Sequence, residues 1–469
     1  MKKKIVGIFL CTLLIATGLL PIVNSETKPT WNSIEMKGSS EYLMNGGWYE
    51  VKNNITVLHL NGSYYQMGYQ HGFLIKERIL QFYRAFLSFF EKNNFSYGQL
   101  LDIWNSTFHY IPTCYIDEMH GIADGANISF EDVAVTNIMS LVWYYIITKF
   151  GYVPPSQGCT ALAAWGPATL DGRLYHMRSC DFEPNYKDPE TGTCIQDTAV
   201  LIVRTPVDAY ASVTPEFPGL VCTWNGINEK KISIGETTCT TTEYSFDGIS
   251  YAFRIRMALD SAETAEDAIT ILCSNRTEGC NLIVSDGNIP IAYVLEQTAN
   301  QSYVGSWDSE IESKWPYWEM DHVIRRVCLF VNPDCAKTSP NVIITPRFLT
   351  LFYVFIVVGM LGEKGPGTPY LWLQYKALSK GMKDKWGELD LNTTMQITRN
   401  VYDFKYGLLW GYIGKKWDYH TQDIITGWQW VACPETGDFL LSMAHNDISA
   451  HKMPTTLFNI NDLMDAAPP

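Results

Sequence analysis

The sequence predicts an α+β protein, with a mainly helical first third that leads into a region of short strands. Three observations carry that prediction. Apolar residues recur at helical spacing between Trp48 and Phe150, a Pro/Gly-rich break follows at 151–158, and beyond it short apolar runs are separated by turn signals. In the helical part, Phe73, Leu74, Ile79, Leu80, Phe82, Tyr83, Phe86, Leu87 and Phe90 fall at three- and four-residue steps and make one broad apolar face. Ser129 can cap a helix over 131–149. Within it, Trp143-Tyr144-Tyr145 reads as core packing.

In the strand region, 160–165 and 174–177 flank Leu170-Asp171-Gly172, where Asp-Gly favours a tight hairpin. The runs 199–204, 220–224, 231–235, 281–285, 291–296 and 302–304 read as further strands. A helix at 255–273 interrupts them, with a break marked by Ser261 and the stretch 263–267. Strands at 428–433 and 439–443 complete the sheets from the C-terminal part. No internal repeat or low-complexity segment stands out.

Bulk composition narrows the function. A hydrophobic fraction of 46% and an aromatic fraction of 13% over 469 residues describe a folded chain with a large core. The net charge of −14, with no basic run beyond Lys2-Lys3-Lys4, argues against a nucleic-acid partner. That basic run is followed by an apolar stretch to Leu20 and the small-residue exit Val23-Asn24-Ser25, the layout of a secretory signal over 1–25. Export fits eight Asn-x-Ser/Thr sequons, at Asn54, Asn61, Asn94, Asn105, Asn127, Asn275, Asn300 and Asn392. Of twelve cysteines, setting aside Cys11 and Cys159 leaves ten, an even number suited to disulfides, with Cys273/Cys280 and Cys328/Cys335 the locally spaced pairs. No CxxC pair occurs, and neither a metal nor a cofactor is expected. The stretch 348–361 carries no charge in fourteen residues. It is too short to span a bilayer, and reads as a buried helix or as a patch that touches a membrane or guides a lipid-like substrate.

One segment concentrates the chemistry: Gly158-Cys159-Thr160, then Gly172-Arg173-Leu174-Tyr175-His176-Met177-Arg178-Ser179-Cys180-Asp181-Phe182. It places a thiol at the start of a strand and returns Arg178 and Asp181 along a hairpin toward the same strand end. A cationic neighbour favours the reactive thiolate, and an Asp can orient a nearby amine or thiol for proton transfer.

This run resembles the start of the mature chain in the choloylglycine hydrolase superfamily of N-terminal-nucleophile hydrolases, which includes acid ceramidase. There a Cys-Thr start is followed by a Tyr/His-x-Arg-x-x-Asp pattern. His176-Met177-Arg178-Ser179-Cys180-Asp181 matches it, with Ser179 where an Asn is usual. Three further stretches resemble the isopenicillin N acyltransferase-like and phospholipase B-like branch: the run 62–72 (Gly62-Ser63-Tyr64 to Gln70-His71-Gly72), the run 118–126 (Glu118-Met119-His120-Gly121 to Gly125-Ala126), and Gly226-Ile227-Asn228-Glu229-Lys230 running into Ile234-Gly235-Glu236-Thr237-Thr238. The matches extend from about Gly62 to Glu296.

The resemblance implies a four-layer αββα sandwich of two antiparallel sheets at 159–469, preceded by a mainly helical pro-segment at 26–158. It implies self-cleavage between Gly158 and Cys159, and then hydrolysis or acyl transfer at linear amide C–N bonds of a small N-acyl amide or lipid-like substrate. Cys159 would be the nucleophile, with Arg178 and Asp181 beside it. Asn281 would donate to the oxyanion, with Asp286 the alternative at the far end of its strand, and Glu236 would be a polar site residue. Arg325 and Arg326, read on a helix, are further residues able to hold a carboxylate. Two other readings stand beside this one: a phospholipase B-like lipid acyl hydrolase, and a non-enzymatic secreted glycoprotein with Cys159 in a disulfide.

Overall fold

The structure, a computed structural model, describes residues 44–142, 159–182, 186–314, 317–339, 368–402, 425–446 and 448–468. The expected signal at 1–25, the aromatic run 143–145, Gly158 with its loop, and the apolar stretch 348–361 lie outside these residues.

The described chain opens with a hairpin, β1 (Trp48–Lys52) and β2 (Ile55–Gly62). Its two-residue turn, Asn53-Asn54, has both φ angles positive, which asparagine tolerates better than most side chains. Five helices follow: α1 (Tyr64–Leu74), α2 (Lys76–Lys92), α3 (Tyr97–Thr107), α4 (Thr113–Ala126) and α5 (Phe130–Asn137). Ser63 and Gln66 close a capping box on α1, and Ser129 caps α5 as its position predicts. The helix expected over 131–149 breaks at Ile138, whose N–H turns back to the Thr136 carbonyl.

The motif glycines of this region have a packing role. Gly68 and Gly72 of α1 lie against Gly121 and Gly125 of α4. A Cβ on Gly68 would fall 2.0 Å from the Glu118 carbonyl oxygen, and one on Gly121 would fall 2.2 Å from that of Tyr65. The two helices touch backbone to backbone, which only glycine permits.

The strands after Cys159 are β3 (Thr160–Gly166), β4 (Gly172–Phe182), β5 (Val200–Pro206), β6 (Ser212–Glu216), β7 (Asn225–Asn228) and β8 (Ile232–Thr238). Helices α6 (Tyr251–Ser261) and α7 (Ala265–Leu272) replace the single helix expected at 255–273. The break falls where the sequence marks it, with Thr264 and Asp267 forming a capping box. Then come β9 (Cys280–Asp286), β10 (Ile291–Gln297), β11 (Ser302–Gly305) and β12 (Val323–Val327). Last are α8 (Thr368–Asp384), α9 (Leu391–Tyr402), β13 (Ile425–Cys433), β14 (Asp438–Met443), β15 (Thr456–Asn459) and a final short helix.

These elements build the four-layer αββα sandwich. One sheet runs β1-β2-β5-β6-β7-β8-β9-β10-β11 and the other β12-β3-β4-β13-β14-β15. Ala161, Ala163, Trp165 and Leu174 meet Ile283, Ala292 and Val294 between the sheets. Alternate residues Leu162, Ala164 and Met177 face outward onto Leu378, Met382, Met395 and Ile397 of α8 and α9. Helices α6 and α7 cover the nine-stranded sheet.

Four details depart from the sequence reading. The first third contributes two strands as well as helices, and β2 pairs with β5 in parallel, so the nine-stranded sheet is not wholly antiparallel. The run 220–224 is not a strand. Its backbone groups are satisfied elsewhere: the Val221 carbonyl accepts from Arg256, the Val221 N–H donates to Asn137, and the Thr223 N–H donates to the Ala252 carbonyl. Arg325 and Arg326 lie in β12, not on a helix. All eleven described cysteines, Cys273/Cys280 and Cys328/Cys335 included, are free thiols. No described helix is long and apolar enough to cross a membrane.

Candidate active site

Cys159 stands immediately before β3, the strand held between β4 and β12 in the six-stranded sheet. It shares the parity of Ala161 and Ala163, which point between the sheets. In β4, Arg178 stands opposite Ala161 and so enters the same inter-sheet space. There its guanidinium is fully buried and holds three partners. Nε donates to the Glu236 carbonyl at 3.1 Å, and Nη2 lies 3.3 Å from Glu236 Oε2 and 3.5 Å from Cys159 Sγ. Nη1 has no acceptor among the described residues. The indole of Trp428, 5.4 Å from Cζ, covers the guanidinium and is fixed by its own N–H to Asn225 Oδ1.

Glu236 reaches this point from β8 because Gly235 lets the sheets close. A Cβ at Gly235 would lie 2.8 Å from the buried His176 ring. Thr238 donates to Glu236 Oε1 at 2.7 Å and lies 3.0 Å from the Tyr251 hydroxyl, which fixes the carboxyl from behind. Burial pushes Glu236 up to about 8, against the pull of Arg178.

The sulfur of Cys159 has unusual company. The thiols of Cys180 and Cys328 both donate to it, and with the charge of Arg178 they hold it well below the ordinary thiol range, against the effect of burial. The Cys328 thiol also approaches the Cys159 carbonyl at 3.7 Å. Sulfur of Cys159 lies 3.8 Å from the backbone oxygen of Asp181, whose buried carboxyl accepts from Ser179 at 3.3 Å.

The structure therefore brings Cys159, Arg178, Asp181 and Glu236 together. Asn281 is adjacent but occupied: its amide donates to the carbonyls of Val327 and Leu329, both at 2.9 Å, and so ties β9 to the end of β12. Asp286 sits at the other end of β9, where it accepts from the N–H groups of Ala265 and Asn288. Arg326 is fully buried between Glu296 and Glu312. Arg325 bonds Ser379 and the Trp318 carbonyl and lies against Tyr375. Both arginines are spent on packing.

Cys180, Cys328, Trp428, Thr238 and Tyr251 were missed by sequence reasoning. Cys180 lies inside the motif and its spacing could have shown it. Cys328 and Trp428 reach the site only through strand register, which no local window contains. Among the described residues no His/Cys/Asp/Glu cluster could hold a metal ion.

The motif residues of the first third serve a different place. His71 accepts from the Gly219 N–H at 2.9 Å, and Glu118 pairs with Arg256 and Arg204, all of them buried. Asn228 ties its hairpin to the end of α6 through the Leu259 and Ala262 carbonyls. His71 and Glu118 thus build the seam between 44–142 and the rest, whereas Asn228 works within the second part.

No protein-family model matches the sequence. An uncharacterized protein of Archaeoglobus fulgidus is 23% identical over 431 residues, which cover 87% of this chain and 66% of that protein. Two Dictyostelium discoideum proteins, dcd1B and dcd1A, are 24% and 23% identical over 29% and 50% of this chain and 30% and 56% of their own. The chain thus spans less than two thirds of the length of these curated relatives. Among solved structures, a mutant conjugated bile acid hydrolase from Clostridium perfringens matches at TM-score 0.35 and 14% identity, over 66% of this chain and 95% of that one. A Caenorhabditis elegans ortholog of N-acylethanolamine-hydrolyzing acid amidase matches at 0.36 and 10%, over 64% of this chain and all of that one.

Proposed function

We propose that the chain is an exported N-terminal-nucleophile hydrolase, or acyltransferase, that cuts itself between Gly158 and Cys159 and then acts on linear amide C–N bonds. The observation that carries this reading is Cys159 at the threshold of β3, its sulfur on a buried guanidinium and activated toward the thiolate. In the self-cleavage, the thiolate attacks the Gly158 carbonyl carbon; a C–S bond forms as the C–N bond breaks, and the departing nitrogen takes a proton to become the α-amine of Cys159. Water then hydrolyses the thioester and frees the thiol. The new amine, with a reference pKa of about 8, serves as the general base in turnover, so no histidine is required.

Substrate hydrolysis repeats the same bond changes through an acyl-Cys159 intermediate, with the substrate carbonyl in place of Gly158. Arg178 Nη1, which lacks an acceptor, is assigned as a donor to the oxyanion. Asn281 is assigned to positioning, because its donors already hold β12. Asp181 is assigned to orient the α-amine. Export is supported by the sequons: all eight asparagines are exposed, whereas Asn137, Asn225, Asn228 and Asn281, which lie in none, are buried.

Intact mass and N-terminal sequencing of protein secreted from a glycosylating host, with and without enzymatic deglycosylation, test the export and the self-cleavage. The expected result is two chains, one beginning at Cys159, and a mass loss on deglycosylation. A single chain with the N-terminus of Cys159→Ala, and a mass differing from that variant's only by the one sulfur substituted, would refute the self-cleavage.

A further inference from the structure

Cys159 is the middle of a row of three sulfurs, and acyl transfer uses only one of them. Thr160 stands opposite Ser179 on β4 and opposite Val327 on β12. One step further along both antiparallel registers, Cys159 faces Cys180 on one side and Cys328 on the other. All three are buried, and both flanking thiols donate to the central sulfur. Facing residues on neighbouring antiparallel strands have Cα atoms about 4.5–5.5 Å apart, within the span that a disulfide bridges.

The two flanks differ in charge. Burial pushes Cys180 well above the ordinary thiol range, but Arg178, on the same face two residues before it, pulls the other way, as it does at Cys159. Cys328 has Arg326 in the matching place on β12, but that guanidinium is held between Glu296 and Glu312, and burial and the Cys159 sulfur push the Cys328 thiol well above its ordinary range. A thiol that must give up its proton to attack a neighbouring sulfur does so more readily on the Arg178 side.

We propose that Cys159 is a site of reversible oxidation by peroxide and that Cys180 is its resolving thiol. The Cys159 thiolate attacks one oxygen of hydrogen peroxide; an S–O bond forms, the O–O bond breaks, and the leaving hydroxide takes a proton from solvent. Cys180 sulfur then attacks the sulfenic sulfur, and its own proton leaves with the hydroxyl as water. The two thiols lose two electrons and the peroxide becomes two waters. The disulfide occupies the nucleophile, and a dithiol reductant restores it. Because the resolving thiol is already in contact, ring closure outpaces further oxidation of Cys159 to the sulfinic acid.

The function of such a lock rests on the amidase reading, but the bond itself does not, and the experiment reads the bond. The purified full-length protein, cleaved or not, is treated with hydrogen peroxide, quenched by alkylation and mapped by peptide mass spectrometry without reduction. The expected product is a Cys159–Cys180 disulfide, lost on treatment with dithiothreitol, with Cys328 still alkylated. Cys180→Ser is expected to abolish the bond and to convert Cys159 to sulfinic acid at the same peroxide dose, whereas Cys328→Ser keeps the bond. Mapping on wild-type protein decides the matter even where a variant fails to fold. A Cys159–Cys328 bond, or sulfinic Cys159 beside an alkylated Cys180 in wild-type protein, would overturn the proposal. A chain that forms the Cys159–Cys180 bond but hydrolyses no amide overturns only the catalytic reading.

Discussion

At the residue scale the site is one cation shared by two potential anions. Nη2 of Arg178 serves both Glu236 Oε2 and Cys159 Sγ. Burial pushes Glu236 up to about 8, so at neutral pH its carboxyl is largely protonated and the charge of Arg178 is left for the sulfur. Two predictions follow from that division. Arg178→Gln removes the charge and should slow alkylation of Cys159 by iodoacetamide, by up to about tenfold for each pKa unit that the thiol rises above the assay pH. An unchanged rate would mean that the flanking thiols alone set the reactivity. The second concerns Glu236, whose folded value lies above its ordinary 4.5. The folded protein then keeps a proton that the unfolded chain has released. The stability contributed is complete below about pH 4.5 and is lost as pH rises through about 8, by at most roughly 1.4 kcal/mol per pH unit. Glu236→Gln should therefore lose less stability than wild type between about pH 5 and about pH 9, measured as urea midpoints. Equal losses in the two proteins would show that Glu236 is ionised throughout.

At the scale of elements, the contact of α1 with α4 is the one most exposed to a single methyl. Gly68→Ala would drive a Cβ into the Glu118 carbonyl, a backbone atom that no rotamer change can move. The helices must separate, at a cost of about 1–3 kcal/mol or more, read as a lowered urea midpoint with an unchanged slope; an unchanged midpoint would show that the two helices do not touch backbone to backbone. These glycines were visible in the sequence as motif positions, yet their work was not, because a motif gives spacing and the partner lies some fifty residues away. The same limit explains β12. Val323-Ile324-Arg325-Arg326-Val327 lacks the alternation of a half-buried strand, since both its faces are buried. Its arginines are tolerable only because Glu296, Glu312, Ser379 and Tyr375 arrive from elsewhere. Strands with local signals, such as β4 with its Asp-Gly turn and β9, were legible, as was the break between α6 and α7. The candidate site residues Cys159, Arg178 and Asp181 were legible too, because the adjacent strands β3 and β4 bring them together without help from the rest of the chain.

At the scale of the whole molecule, a cut before Cys159 would divide the sequence but not the sandwich. β2, from the first chain, stays in parallel register with β5 of the second, from Val57 opposite Leu201 to Gly62 opposite Pro206. Glu118 of α4 stays between Arg204 of β5 and Arg256 of α6, and Tyr64 and Tyr115 both donate to Asp260. Arg84 of α2 grips Asp188 with two nitrogens, at 2.8 and 2.7 Å. Separating the chains would expose an apolar interface and strand β2 as well, and would strip partners from charges that have no water around them. The two chains should therefore co-elute as one species in native size-exclusion chromatography and part only in denaturant. Arg256→Met probes the seam. It leaves Glu118 with Arg204 alone and Asp260 with no cation, a loss of about 3–5 kcal/mol for a broken buried pair. The variant should release the chain that ends at Gly158 at lower urea than wild type while Cys159 remains a free thiol in the remainder. Release of that chain from wild-type protein in native buffer would show that the sheet does not hold across the cut.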